Sequence, residues 1–156
     1  MQSIILGGLS ALLSGIDLWC KSWVEDNIRK GEEKKICKKK VVVRKVHNKG
    51  FAMNLGDNKP EIVKILSGIV CGIIALYSLV VWVKDSSKLK KAGTVLALAG
   101  AISNTYDRFK RGYVVDYFGF KTKSEKFNKI TFNLADVFIF VGAIFCLLAE
   151  IFRKEN

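Results

Sequence analysis

Residues 65–83 run for nineteen positions without one charged side chain. At about 1.5 Å per helical residue, a stretch of that size nearly crosses a bilayer core of about 30 Å, for which about 20 residues suffice. Three further apolar blocks accompany it. Residues 4–23 carry only Asp17 and Lys21, residues 92–106 are uncharged up to Asp107, and residues 130–152 carry Asp136 and Glu150. The third block reaches spanning length only when extended to Phe109. The pattern predicts an all-α membrane protein with four transmembrane helices, at about 4–23, 62–83, 92–109 and 132–152, in one membrane-embedded domain over residues 1–156. A soluble bundle of buried helices is the competing architecture. The length and cleanness of the second block weigh against it.

Half of the residues are apolar, yet Lys and Arg number 26 against 14 Asp and Glu, a net charge of +12. A chain both greasy and basic must segregate the two. A disordered chain is excluded by the hydrophobicity, and four cysteines are too few for a disulfide scaffold. Met1-Gln2-Ser3 supplies no basic start and no A-x-A-like site closes the first block. It is therefore expected to stay attached as helix one rather than be cleaved as a signal peptide.

Two wet segments separate the blocks. Val41, Val42, Val43 and Val46 suggest strands in a β-rich segment at about 36–56. Gly56-Asp57-Asn58 reads as a turn, and Pro60-Glu61 suits a first helical turn. An even number of spans puts both termini and the link 84–91 on one side, with six Lys/Arg. The opposite side then carries eighteen. Read naively, the positive-inside rule places those eighteen in the cytoplasm.

Most catalytic signatures are missing. His47 is the single histidine, no G-x-S-x-G elbow occurs, and Cys20, Cys37, Cys71 and Cys146 form no C-x-x-C. Three of these cysteines lie in apolar blocks, where cysteine packs as a small hydrophobe. No Walker loop or dinucleotide fingerprint occurs, and metal binding by the cysteines is not expected. Nucleic acid is not expected as a partner either, since aromatic interleaving of the basic runs is weak. Anionic lipid head groups are the better counter-surface.

Carboxylates near membrane depth are costly and mark function. Asp17 and Lys21, four apart, share a helix face. They read either as a neutralising ion pair near the helix end or as support near a substrate. Asn104 and Asp107 also share a face. Arg108 beside Asp107 favours its ionised form, which suits orienting better than proton transfer. Gly112 lets the chain turn, and Asp116 follows among apolar neighbours, where desolvation raises a carboxyl pKa. Asn133 either caps the last helix or donates its amide to a carboxylate. Asp136 follows three residues on, with Ala135 leaving room beside it. Two aspartates at different helical ends, brought within about 3–5 Å, cannot both ionise. One then serves as base on a water while the protonated partner polarises a peptide carbonyl.

Five motifs, in this order around the apolar blocks, resemble the prolipoprotein signal peptidase family (signal peptidase II), a lipoprotein-specific membrane aspartic protease family. They are Asp17-x-x-x-Lys21, Asn48-x-Gly50-x-Ala52, Asn104-x-x-Asp107-Arg108, Gly112-x-Val114-Val115-Asp116-Tyr117 and Phe132-Asn133-x-Ala135-Asp136. The resemblance covers nearly the whole chain. It implies a bacterial cytoplasmic-membrane endopeptidase that cuts prolipoproteins just before a diacylglyceryl-modified cysteine. It also implies cytoplasmic termini, a small extracytoplasmic β element between helices 1 and 2, an active site near the outer interface, and no cofactor or metal. Asp116 and Asp136 match the catalytic dyad. Asn104, Asp107, Arg108 and Asn133 match positions that hold the dyad or substrate, and Asn48, Gly50, Asp17 and Lys21 match the remaining positions near the site. The chain departs from the family at Ser103, usually glycine, and in the run Asn48-Lys49-Gly50-Phe51-Ala52-Met53. The implied topology also puts the eighteen cations outside, where residues 34–40 would meet anionic lipid. A non-enzymatic membrane protein, such as a proton-coupled carrier or lipid-binding subunit, is the alternative. It explains intramembrane acids but not five ordered motifs.

Overall fold

A computed structural model of the chain describes residues 1–36, 40–51 and 55–153. The element order is α1 (Gln2–Asn27), β1 (Glu33–Ile36), β2 (Val41–Asn48), α2 (Pro60–Val83), α3 (Lys88–Arg111), β3 (Val114–Phe120), α4 (Glu125–Asn128) and α5 (Leu134–Ile151). Cys37, Lys38, Lys39, Ala52 and Met53 lie outside the described residues.

The helices are built inside out relative to a soluble bundle. On α1 the buried positions include Ser10, Ser14, Asp17 and Lys21, while Ile5, Leu9, Leu12, Ile16, Trp19 and Trp23 are exposed. On α2 the exposed face is Ile65, Ile69, Ile73, Leu76 and Val80, and Ser78 is buried. That polarity suits helices whose solvent is hydrocarbon. Among the described residues, three helices are long and apolar enough to cross a membrane: α1, α2 and α5, with mean hydropathy 1.6, 2.3 and 2.3.

The third expected span is different in kind. Helix α3 has 24 residues, more than were expected, but it carries polar side chains along much of its length. It packs against α1, α2 and α5, and most of its buried residues are small or polar. Small and polar residues are what helix interfaces use when lipid supplies no hydrophobic drive for association. Ser10 Oγ donates to Val95 O at 3.2 Å and Ser14 Oγ to Ala99 O at 2.8 Å, tying α1 to α3. Trp82 Nε1 donates to Thr94 Oγ1 at 2.9 Å, tying α2 to α3.

Helices α3 and α5 touch backbone to backbone. A methyl group on Gly100 would overlap Ala135 O, and one on Gly142 would lie 2.6 Å from Gly93 O. One turn beyond Gly100 comes Asn104, and next to Ala135 comes Asp136, so this contact sets two candidate site residues face to face.

Strands β1 and β2 lie between α1 and α2, where a small β element was expected, and a third strand joins them. The sheet order is β1-β2-β3, all antiparallel, and the third strand arrives from beyond α3. A two-stranded hairpin is marginal by itself; β3 completes it. Asp116 therefore sits in a strand, opposite Val46, not at a helical end. The register shifts between Val43 and Val46, a β-bulge at Arg44 and Lys45. Gly112 caps α3 at φ 80° and turns the chain into β3. Glycine adopts that left-handed conformation without a Cβ clash. Phe132, just before α5, pairs with Phe118 of β3.

Gly142→Ala should force α3 and α5 apart, at a cost of about 1–3 kcal/mol. The check is thermal unfolding in detergent micelles, where the midpoint should fall. An unchanged midpoint would contradict the backbone contact.

Candidate active site

Asp116 is buried on β3, and both of its oxygens are held by amides. Asn133 Nδ2 donates to Oδ1 at 2.7 Å and Asn48 Nδ2 to Oδ2 at 3.1 Å. Asp136 lies in the first turn of α5. Asn104 Nδ2 donates to its Oδ1 at 3.0 Å and the Asn133 backbone N–H to its Oδ2 at 3.1 Å. Asn133 Oδ1 accepts from the Asp136 backbone N–H at 2.9 Å, completing a reciprocal capping box. Both readings of Asn133 hold at once. Its oxygen and backbone cap α5 while its amide nitrogen reaches Asp116, so one side chain bridges the two carboxylate residues.

Asn104 has its own orienting partner. Its Oδ1 accepts from Lys21 Nζ at 2.8 Å, which turns the amide N–H groups toward Asp136. Lys21 is 0% exposed and contacts two carboxylates: Asp17 Oδ2 at 2.8 Å and Asp107 Oδ2 at 3.5 Å. It also donates to Ser103 Oγ at 3.0 Å. The Asp17–Lys21 ion pair is thus wholly buried, and through Lys21 it also engages Asp107 and Ser103 of α3.

Asp17 reaches further. Its Oδ1 accepts from Tyr117 O–H and from the Leu134 N–H, each at 3.0 Å. Tyr117 neighbours Asp116 on β3, and Leu134 is the first residue of α5. One carboxylate on α1 therefore holds both elements that carry the site's acids. Asp107 Oδ2 accepts from Val115 N–H at 3.1 Å, fixing β3 beside Asp116.

Arg108 does not pair with Asp107, as its sequence position suggested. The cations facing Asp107 are Lys21 and Arg111, the latter with Nη1 at 3.1 Å from Oδ1. Successive helix residues point about 100° apart. Arg108 therefore swings to the other side and donates to Gly50 O at 2.8 Å. Gly50 N–H in turn donates to Asn48 Oδ1 at 3.0 Å. All ten residues singled out from sequence are thus linked into one network, Gly50 through its backbone. Sequence reasoning gave no role to Tyr117, Ser103 or Arg111. The i+4 spacing from Asp107 to Arg111 was a usable signal; Ser103 stood out only as a departure from the resemblance.

The two carboxylates, with Asn48, Asn104 and Arg108, line a cavity of about 980 Å³. Its remaining wall is mainly apolar and includes Phe51, Val70, Ile74, Phe118, Phe132 and Phe140, drawn from α2, β3, α5 and the chain around them. His47 stays out of it, with Nε2 2.8 Å from Glu25 Oε1 and its ring stacked on Tyr113 at 4.0 Å.

Burial, and next the charge of Asp136, raise the Asp116 carboxyl from 3.8 to about 7, against the opposing pull of the Asn48 and Asn133 amides. Desolvation and a like charge both disfavour the ionised form. A carboxyl whose folded-state pKa lies above its unfolded value favours the fold while protonated. That contribution is complete below about pH 3.8 and is lost as pH rises through about 7. Asp116→Asn removes this dependence. Relative to the parent protein the variant should gain stability as pH rises from about 4 to about 8, by at most about 4 kcal/mol. Unfolding midpoints of the two proteins, compared across that range, give the sign.

Comparison with known proteins points to one family. A family model described as "Signal peptidase (SPase) II" matches residues 9–152. The lipoprotein signal peptidase of Lactococcus lactis subsp. cremoris is 34% identical over 136 residues, covering 87% of this chain and 86% of the relative. That of Clostridioides difficile is 32% identical over 149 residues, covering 93% and 94%. That of Fusobacterium nucleatum is 32% identical over 157 residues, covering 99% and 92%. A solved bacterial membrane enzyme shares the fold at TM-score 0.80 and 20% identity, covering 99% of this chain and 93% of the other.

Proposed function

The chain belongs to the signal peptidase II family, the lipoprotein signal peptidases, and from that premise we propose that it hydrolyses prolipoproteins by an aspartic mechanism with Asp116 and Asp136 as the reacting pair. The observation that carries this reading is that Asn133 donates to both carboxylates in the wall of a mainly apolar cavity, by its side-chain amide to Asp116 and by its backbone N–H to Asp136. The substrate's diacylglyceryl chains occupy the apolar part, and the peptide bond before the modified cysteine lies extended across the carboxylates.

The pair holds one proton. The ionised carboxylate takes a proton from a water, whose oxygen attacks the scissile carbonyl carbon. The protonated partner donates to the carbonyl oxygen as it becomes tetrahedral. Collapse breaks the C–N bond: the proton gained from water passes to the leaving amine, and one hydroxyl proton of the tetrahedral intermediate returns to the partner carboxylate, so that the pair again holds one proton. Asn104, Asn133 and Asn48 hold the carboxylate planes in place. Lys21, Asp17 and Asp107 hold the asparagine and the strand behind them. Arg108 holds the Gly50 carbonyl, and with it the backbone of residues 48–51, beside the cavity.

Helix α3 is the fourth span in this reading. It has 24 residues. At about 1.5 Å each they reach about 36 Å, longer than a bilayer core of about 30 Å. One domain then spans residues 1–156, with both termini cytoplasmic and the cavity mouth and sheet at the outer interface. The exposed cations of the first hairpin, Lys34, Lys35 and Lys40, rest against anionic head groups at up to about 1 kcal/mol each. A proton-coupled carrier or lipid-binding subunit finds no support among the relatives.

Asp116→Asn and Asp136→Asn should each abolish cleavage of a diacylglyceryl-modified precursor while the protein stays folded, judged by unfolding midpoint and by release of the signal peptide. Robust turnover by either would overturn the mechanism. Replacing Lys34, Lys35 and Lys40 with Gln should narrow the activity gap between phosphatidylglycerol and phosphatidylcholine bilayers. An unchanged gap would remove the head-group contact.

A further inference from the structure

We propose that Arg44 is a positioning residue whose guanidinium clamps residues 128–131 to the sheet and so sets the spacing between β3 and the start of α5. The inference rests on the reading of Asp116 and Asp136 as the reacting pair. Arg44 matches none of the five motifs and does not line the cavity. It sits in the bulge of β2, the kind of irregularity that re-aims a side chain beside a functional site.

Its donors reach across the sheet to a segment more than eighty residues away. Nε donates to Thr131 Oγ1 at 2.8 Å. Nη2 donates to Asn128 O at 2.8 Å and to Ile130 O at 3.0 Å. Nη1 donates to Glu33 Oε1 on β1 at 3.1 Å. The planar fork of arginine suits several fixed acceptors at once, which the single ammonium of lysine does not. Gly119 of β3 lies directly beneath this contact. A methyl group there would fall 2.8 Å from Ile130 O and 3.1 Å from Arg44 Nη2. Strand β3 therefore passes close under the clamp because it has no side chain at that point.

The consequence runs one residue further along the chain. Phe132 exchanges backbone bonds with Phe118, its N–H donating to Phe118 O at 2.7 Å and its O accepting from Tyr117 and Phe118 N–H at 2.8 and 2.9 Å. Asn133 follows and bridges Asp116 and Asp136. With residues 128–131 fixed to the sheet, Phe132 keeps its register on β3 and Asn133 keeps its reach to Asp116. Misplacement by about 1 Å, even from a change remote from the chemistry, can cost about a hundredfold in rate.

The test is steady-state cleavage of a synthetic diacylglyceryl-modified lipopeptide by the purified full-length protein across pH. Arg44→Ala and Arg44→Lys should each lower kcat by about 10–100-fold with KM changed less than about threefold, since α2, α3 and α5 keep most of the apolar wall. The limb of the kcat–pH profile set by Asp116 should move to higher pH, because Asn133 no longer holds its oxygen. Thr131→Val removes one acceptor and should shift both readouts the same way by less; it keeps the test open should Arg44→Ala fail to fold. The clamp is overturned if Arg44→Lys and Thr131→Val lose only thermal stability, with kcat per folded molecule and the pH profile unchanged. Activity in Asp116→Asn would instead sink the reading of the reacting pair.

Discussion

The ammonium of Lys21 is wholly enclosed, and much of the structure is arranged around making that tolerable. An unpaired charge in a low-dielectric interior is prohibitive, and stripping one partner from a buried pair costs about 3–5 kcal/mol. Here the cation meets Asp17 and Asp107, and Ser103 and Asn104 accept further hydrogen bonds from it. Arg111 balances the second carboxylate. The groups that satisfy Lys21 then use their remaining valence elsewhere. Asp17 holds Tyr117 and Leu134, Asp107 holds Val115, and Asn104 holds Asp136. Satisfying one buried charge thus fixes the strand of Asp116 and the helix of Asp136 relative to α1 and α3.

Such a network is tenable because α3 is surrounded by other helices. A helix facing hydrocarbon must be apolar, but one packed against three neighbours is free to carry serine, asparagine and aspartate provided each finds a partner. The serines of α1 bond to α3 carbonyls, and the glycines of α3 and α5 let their backbones meet. Close approach at Gly93, Gly100 and Gly142 brings Asn104 opposite Asp136. Packing and chemistry are therefore the same contact read at two heights.

The reach of sequence reasoning differs from element to element. Helices α1, α2 and α5 were legible because lipid-facing residues give long uncharged runs. The turn at Gly56 and the first helical turn at Pro60 were legible because their backbone demands are local. Strand β3 was not drawn, although Val114, Val115, Tyr117 and Phe118 are strand formers. It pairs with a strand more than sixty residues earlier, and local pattern carries no record of a distant partner. Arg108 was misdirected for a related reason: adjacency in sequence placed it with Asp107, while helical rotation sends it to Gly50.

What the chain alone determined is which carboxylates and amides stand among apolar residues and which stretches are apolar and long enough to cross a membrane. Both follow from residue type and period, and burial of a carboxylate in a greasy run is costly wherever it occurs. What only the tertiary structure decided is how those residues meet: that Asn133 caps one acid and binds the other, and that Lys21 orients Asn104 from a different helix. These depend on groups separated by up to 117 residues, as Asp17 and the Leu134 N–H are, coming within hydrogen-bond distance, which is set by packing and not by any local propensity.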